Sequence, residues 1–210
     1  MPESLTLTTA DGVTLEAELA EPDGPARRRV VLCHPHPQFG GSMRSIVISA
    51  LFESLPAAGA RCLRFNFRGV EGSAGAWGEG ELERHDVAAA IDALGDTDSH
   101  TPLVVVGWSF GGDLTLSARD PRLDAWVAIA PPLAYIHDVD GLARDPRPKL
   151  VIVAEHDEFR RPEEVIAIAA TWANTETDTV PGASHYFIGR TDHLVALVGS
   201  WLEQLTPAVR

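Results

Sequence analysis

The strongest constraint on the fold is a set of four short apolar runs that do not alternate with polar residues. They are Val30 to Cys33, Cys62 to Phe65, Leu103 to Val106 and Leu150 to Val153. A strand with this pattern is buried on both faces, and such strands belong to parallel sheets covered by helices. The chain is therefore predicted to form a parallel sheet with helices on both faces.

The segments between these runs show the spacing of amphipathic helices. The pattern predicts helices over residues 43–55, 82–94 and 162–172, a final helix that Thr191 caps, and a further strand over residues 124–130. The first 20 residues alternate around Asp11-Gly12, which is typical of a β-hairpin. Strands and helices in alternation, with no repeat and no linker, predict one doubly wound α/β domain spanning residues 1–210.

Charge and composition narrow the classes of partner and compartment. The chain has 17 Lys and Arg against 30 Asp and Glu, a net charge of −13, which disfavours nucleic acid and anionic membrane surfaces. No run approaches the 18 apolar residues of a membrane span, and the N-terminus lacks the pattern of an export signal. Cys33 and Cys62 lie in apolar runs and are predicted to be reduced core residues. We expect a cytoplasmic protein without nucleic-acid or membrane partners.

A candidate nucleophile follows the third apolar run. The run leads directly into Gly107-Trp108-Ser109-Phe110-Gly111, a GxSxG pattern, and a helix-compatible segment comes next. Small glycines permit the strained turn that lifts a serine hydroxyl above the edge of a sheet. The alternative is a glycine-rich turn that only packs a helix on a strand. The context of strand, turn and helix favours Ser109 as a nucleophile.

A serine nucleophile needs a base and an acid, which follow it in the order acid then histidine. Asp157 comes directly after the fourth run and is the favoured acid, with Glu155 and Glu158 as neighbouring alternatives. His185 lies on a loop between a short candidate strand and the last helix, which makes it the favoured base among eight histidines.

The loop after the first run, His34-Pro35-His36-Pro37-Gln38-Phe39-Gly40-Gly41, is the second landmark. Acyl transfer needs two N–H groups aimed at the oxyanion, one from the residue after the nucleophile and one from an early loop. Phe110 is the first candidate. Prolines have no N–H, so His36, Gln38, Phe39 or a glycine must supply the second, and Gln38 is favoured. His34 and His36 also form an HxH pair that metals use, but no carboxylate lies in this segment to complete a site.

Six segments together resemble the α/β-hydrolase superfamily, and in particular its small bacterial HPHP-type serine hydrolases related to the dienelactone-hydrolase and esterase branches. The segments are HPHPQFGGSM, RFNFRGVEGSAG, GWSFGG, APPL, AEHDEFRRP and PGASHYFIGR, and the match runs from about Val30 to the last helix. The resemblance implies an α/β-hydrolase fold with a mostly parallel sheet of about eight strands, the second antiparallel. It also implies Ser109 as nucleophile, Asp157 as acid, His185 as base and Phe110 in the oxyanion hole.

The chain departs from the wider family in three ways. Its nucleophile is serine where dienelactone hydrolases have cysteine, HPHP replaces the usual HG dipeptide, and the segment between Ser109 and Asp157 leaves no room for a sizeable cap domain. Eight aromatic residues flank the predicted site loops and are candidates for an apolar acyl pocket: Phe39, Trp77, Trp108, Phe110, Tyr135, Phe159, Tyr186 and Phe187.

These features predict a serine hydrolase that cleaves a small acyl substrate, most simply a carboxylic ester, through a Ser-His-Asp triad and an acyl-enzyme intermediate, with no metal or organic cofactor. Thioester and amide substrates stay open, as does the oligomeric state. Two alternatives are a non-catalytic binding module on the same fold and a metal-dependent hydrolase that uses His34 and His36.

Overall fold

The computed structural model describes residues 2–95 and 101–205, which contain eight strands and six α-helices. The strands are β1 (Glu3–Thr8), β2 (Thr14–Ala20), β3 (Arg28–Cys33), β4 (Ala60–Phe65), β5 (Leu103–Trp108), β6 (Ala125–Ile129), β7 (Lys149–His156) and β8 (Thr175–Ser184). The helices are α1 (Ile46–Ser54), α2 (Glu83–Leu94), α3 (Phe110–Ser117), α4 (Val139–Arg144), α5 (Pro162–Ala169) and α6 (Thr191–Gln204).

All eight strands form one sheet in the order β1-β2-β4-β3-β5-β6-β7-β8. β2 pairs antiparallel with both β1 and β4, and the other neighbouring strands pair in parallel. Only β2 therefore runs against the rest, which confirms the mostly parallel eight-stranded sheet predicted from the sequence. The predicted hairpin around Asp11-Gly12 is the β1–β2 connection.

The apolar strands are buried on both faces because each face has its own core. In β3, Val31 and Cys33 join the cluster beneath α2, α3, α4 and α5, whereas Val30 and Leu32 join the cluster beneath α1 and α6. This division explains why the runs do not alternate with polar residues, because side chains on both faces of the sheet point into a core. Cys33 and Cys62 are buried and free, as predicted.

Three predicted helix boundaries are wrong by a few residues. The helix predicted over 43–55 begins at Ile46, because Ser42 and Ser45 bond each other in a turn that precedes it. The helix predicted over 162–172 ends at Ala169. Thr191 does not cap the last helix but is its first residue, and Arg190 occupies the capping position.

The segment between β6 and β7, residues 130–148, carries only the six-residue helix α4. The predicted absence of a sizeable cap domain is therefore confirmed for the described chain. No helix in residues 2–95 and 101–205 has the length and apolar character needed to cross a bilayer.

Candidate active site

Ser109 occupies the turn between β5 and α3 in a conformation that few non-glycine residues adopt. Its φ is 57° and its ψ is −123°, and its N–H donates to the Ile129 carbonyl at 2.8 Å. A Cβ on Gly107 would lie 2.0 Å from the Gly111 carbonyl oxygen, and a Cβ on Gly111 would lie 2.2 Å from that of Cys33. The two glycines of GxSxG therefore allow α3 to approach β5 and β3 closely enough to hold Ser109 in this turn.

Ser109, His185 and Asp157 form one chain of hydrogen bonds. Ser109 Oγ lies 2.9 Å from His185 Nε2, and His185 Nδ1 lies 2.8 Å from Asp157 Oδ2. An ionised carboxylate only accepts hydrogen bonds, so Nδ1 carries the ring proton and Nε2 is left to accept from the serine hydroxyl. The side chains of His185 and Asp157 are 6% and 4% exposed, so water competes little for this pair. The structure thus brings together the three residues predicted from chain order.

Neighbouring groups hold the acid and the base in place. Asp157 Oδ1 accepts from the Phe159 and Arg160 N–H groups at 2.9 and 3.2 Å. The backbone of His185 is held at both ends, by Glu158 Oε2 at 3.0 Å from its N–H and by Trp108 Nε1 at 3.1 Å from its carbonyl. Sequence reasoning treated Glu158 only as an alternative acid, and no pattern in the sequence signals its role in holding His185.

The third carboxylate of this segment is directed elsewhere. Glu155 lies in β7 and accepts from the Gly182 N–H at 2.6 Å, near the end of β8 and just before His185. Of the three candidate acids, Asp157 is the one that reaches the imidazole.

The two predicted oxyanion donors have different outcomes. Phe110 is the first residue of α3, and its N–H has no acceptor among the described residues. The N–H of Gln38, in contrast, donates to His36 Nδ1 at 3.2 Å, because His36 caps a short 3₁₀ turn over Pro37–Phe39. The Phe39 and Gly41 N–H groups donate to the His36 carbonyl. The Gln38 N–H is therefore already bonded within the loop, which disfavours Gln38 as the second donor.

His36 is the remaining residue of this loop that fits the role. The Gly40 N–H donates to the Pro37 carbonyl, and the Pro residues have no N–H. The His36 N–H has no acceptor in the part of the chain that the structure describes, and both His36 and Phe110 line the cleft that contains Ser109. An electronegative atom near Ser109 would also meet the N-terminal end of α3, where the helix dipole is positive.

The side chain of His36 is fixed in one tautomer. Because the Gln38 N–H can only donate, Nδ1 accepts and the ring proton of the neutral imidazole lies on Nε2, which is 3.3 Å from the Tyr135 hydroxyl oxygen. Trp77 and Phe110 pack against the ring, with centroid distances of 4.5 and 5.2 Å. Burial lowers the pKa of His36, which favours this neutral form.

The other histidine of the HPHP segment is a buried structural residue. His34 Nε2 accepts from the Phe67 N–H at 2.9 Å, so Nδ1 carries the proton and donates to the Pro35 carbonyl at 2.6 Å. Burial lowers the pKa of His34 to about 3. Both rings use both nitrogens inside the protein, and the described residues contain no group of three or more His, Cys, Asp or Glu arranged for a metal ion. The HxH pair does not fit a metal site.

A cleft of about 450 Å³ opens above Ser109. Six of the eight aromatic residues predicted for an acyl pocket line it: Phe39, Trp108, Phe110, Tyr135, Phe159 and Tyr186. Phe187 is instead fully buried in the core, and Trp77 packs behind His36 rather than facing the cleft.

Two buried carboxylates support the aromatic side of this cleft. Asp113 accepts from the N–H groups of Leu133, Ala134 and Tyr135 at 2.7–2.9 Å, and burial raises its pKa to about 6 against the pull of these three donors. Glu83 accepts from the Gly78 and Gly80 N–H groups at 2.7 and 2.8 Å. Sequence reasoning missed both residues, since each reads as an ordinary acid in the first turn of a helix.

Known proteins share this architecture. A family model described as "alpha/beta hydrolase fold" matches residues 28–118. The solved structure of an α/β serine hydrolase homologue from Coxiella burnetii is 30% identical and superposes with a TM-score of 0.86, over 95% of this chain and 97% of that chain. The chain belongs to the α/β-hydrolase superfamily.

Two further relatives of this α/β hydrolase cover nearly the whole chain. XC6422 from Xanthomonas campestris, described as an α/β serine hydrolase without lid, is 26% identical with a TM-score of 0.84, over 100% of this chain and 97% of that chain. An uncharacterized protein of Rickettsia prowazekii, RP471, is 28% identical over 199 residues, which are 90% of this chain and 84% of the relative. In α/β hydrolases a GxSxG serine sits on a strained turn from strand to helix. Ser109 has that position here.

Proposed function

We propose that this α/β hydrolase is a serine hydrolase that cleaves a small carboxylic ester through an acyl-enzyme intermediate. The observation that carries the proposal is the continuous chain from Ser109 Oγ through His185 to Asp157, placed on the strained turn at the floor of an apolar cleft. The Coxiella and Xanthomonas relatives are described as serine hydrolases, which supports the same chemistry.

The mechanism follows from the proton positions. His185 Nε2 takes the Ser109 proton as Oγ attacks the ester carbonyl, and Asp157 stabilises the imidazolium that forms. The N–H groups of Phe110 and His36 donate to the oxyanion of the tetrahedral intermediate, each contributing about 3 kcal/mol to lowering the barrier. His185 then returns the proton to the leaving alcohol. A water molecule, deprotonated by His185, then attacks the acyl carbonyl, the bond to Ser109 Oγ breaks, and His185 returns the proton to Oγ as the acid leaves.

The experiment that tests the proposal is labelling with a fluorophosphonate probe, followed by peptide mass mapping. Stoichiometric modification at Ser109 is expected in the native protein, including after treatment with a chelator, and none is expected in Ser109→Ala. The folded protein left unlabelled would overturn the proposal in favour of a binding module. Labelling or turnover that a chelator abolishes would favour the metal-dependent alternative.

The kinetics of the variants supply a second, independent readout. Ser109→Ala and His185→Ala are each expected to lower kcat by at least about 10⁴-fold on an activated ester, and the double variant is expected to be no worse than either single variant. The reason is that the two residues act as one unit. Losses that multiply in the double variant would contradict the proposed triad.

A further inference from the structure

The walls of the cleft above Ser109 contain no formally charged side chain. Of the fifteen described residues that line it, none is Asp, Glu, Lys or Arg. Its polar groups are those of Ser109, His185 and the loop that contains His36, together with the hydroxyls of Ser45, Tyr135 and Tyr186. His36, the lining histidine outside the triad, is held neutral by its hydrogen bonds to Gln38 and Tyr135. A charged group on a substrate would find no counter-ion in these walls.

The charged residues next to lining residues in sequence are bound elsewhere. Arg44 pairs with Glu18 of β2 at 2.9 Å, outside the cleft. On either side of Phe159, Glu158 accepts from the His185 N–H, and Arg160 Nε lies 3.1 Å from Glu164 Oε2 while its charge also acts on the buried Asp113. None of these side chains lines the cleft.

The rim of the cleft is apolar and exposed. Among the described residues, seven large apolar side chains are exposed, and four of them line this one cleft. Phe39 and Phe159 are 85% and 61% exposed, and Ile46 and Tyr186 are each 45% exposed. Because exposed apolar side chains that gather at one place mark a binding surface, this rim is suited to the apolar part of a ligand.

We propose that the substrates are uncharged esters with an apolar acyl chain that runs from Ser109 along the aromatic walls to this rim. The inference rests on the proposed function and adds the class of substrate. A terminal carboxylate on the acyl chain would lose water against Phe39 or Phe159 with no cation to replace it, so anionic acyl groups are excluded. A terminal quaternary ammonium would gain contacts with aromatic faces but no ion pair with a lining carboxylate, against the loss of its hydration.

The test compares three p-nitrophenyl esters of equal chain length: the hexanoate, the adipate monoester with a terminal carboxylate, and the 6-trimethylammonio-hexanoate. Because the leaving group is the same, differences in kcat/KM report the acyl chain alone. The hexanoate is expected to exceed both charged esters by at least about tenfold. Equal rates, or a preference for either charged ester, would overturn the inference. A preference for the adipate that Arg160→Gln removes would show that Arg160 supplies the missing cation.

A second experiment introduces a cation on the rim and measures whether the adipate ester becomes a better substrate. Ile46→Arg places a cation on the rim and is expected to raise kcat/KM for the adipate ester at least about tenfold. The matched control is Ile188→Arg, because Ile188 is 73% exposed but does not line the cleft. The control is expected to leave the adipate rate unchanged. An equal gain in both variants would show that the net charge of −13, rather than the cleft, excludes anions, and would overturn the inference.

Fluorophosphonate labelling of the same preparation distinguishes failure of the proposed substrate class from failure of the proposed function. Labelling at Ser109 together with a preference for the adipate ester overturns the substrate class and leaves the serine hydrolase standing. A folded protein with neither labelling nor turnover overturns the proposed function, and the substrate class falls with it.

Discussion

Replacing Asp157 with asparagine tests the proton arrangement without removing an atom from the site. The two carboxylate oxygens of Asp157 have separate tasks: Oδ2 faces His185 Nδ1, and Oδ1 accepts from the Phe159 and Arg160 N–H groups. In Asp157→Asn the amide oxygen must stay with those two donors, because an NH₂ group there would face two N–H groups. The amide NH₂ is therefore turned toward His185.

This orientation reverses the tautomer of His185. An NH₂ group can only donate, so Nδ1 becomes an acceptor and the ring proton moves to Nε2. Nε2 then donates to Ser109 Oγ and cannot accept its proton. A wrong tautomer in an otherwise intact triad lowers kcat by about 10⁴-fold, which is a rise of about 5 kcal/mol in the barrier.

The assay is steady-state hydrolysis of p-nitrophenyl butyrate, with thermal unfolding measured on the same samples. Because the loop hydrogen bonds are retained, the free energy of unfolding is expected to change by no more than about 1 kcal/mol. The control is Glu155→Gln, a neighbouring exposed carboxylate that also accepts a backbone N–H but does not touch the triad. Its rate is expected to stay within about twofold of the native rate. A folded Asp157→Asn that kept more than a tenth of the native kcat would refute the assignment.

Three further changes probe the oxyanion loop, the nucleophile turn and the cleft wall. Tyr135→Phe removes the acceptor for His36 Nε2 and is expected to lower kcat about 3- to 10-fold with KM little changed in initial-rate kinetics; a change in KM alone would contradict a positioning role. Gly107→Ala, with its Cβ 2.0 Å from a carbonyl oxygen, is expected to lower the free energy of unfolding by about 1–3 kcal/mol, whereas Gly199→Ala, with nothing within 4 Å, is expected to raise it by about 0.5–1 kcal/mol. Asp113→Asn leaves at least one partly buried N–H of residues 133–135 without an acceptor and is expected to lower the free energy of unfolding by about 1–3 kcal/mol in denaturant unfolding; an unchanged midpoint would show that the loop is held by other contacts.

The fold could be predicted from the sequence because the pattern that indicates it is spread over many residues. Each buried strand contributes several apolar positions, so an error at one residue, such as the partly polar run Cys62 to Phe65, does not change the prediction. Helix ends are decided by single hydrogen bonds instead. The i→i+3 bonds of Thr171 and Trp172, for example, end α5 at Ala169 although the apolar spacing continues.

Within the candidate site, too, some residues could be predicted from the chain pattern, whereas others depend on single hydrogen bonds. Ser109, Asp157 and His185 each follow a strand, so their places at one edge of the sheet follow from topology. The second oxyanion donor depends on which N–H of a loop is left without an acceptor. That is decided by the turn in which His36 captures the Gln38 N–H, and no composition or spacing rule shows which donor such a turn consumes.

The buried carboxylates behind the cleft explain how its lining stays free of charge while its loops stay ordered. Asp113 holds the segment that presents Tyr135, and Glu83 holds the segment that follows Trp77; both aromatic side chains contact His36. These carboxylates accept from backbone N–H groups rather than pairing directly with cations, and although the charge of Arg160 acts on Asp113, part of their negative charge remains. It opposes any anion in the cleft, including the oxyanion of the reaction. In the proposed mechanism the site therefore needs donors aimed at the single atom where negative charge develops, and the Phe110 and His36 N–H groups would meet that need without admitting an anion elsewhere on the substrate.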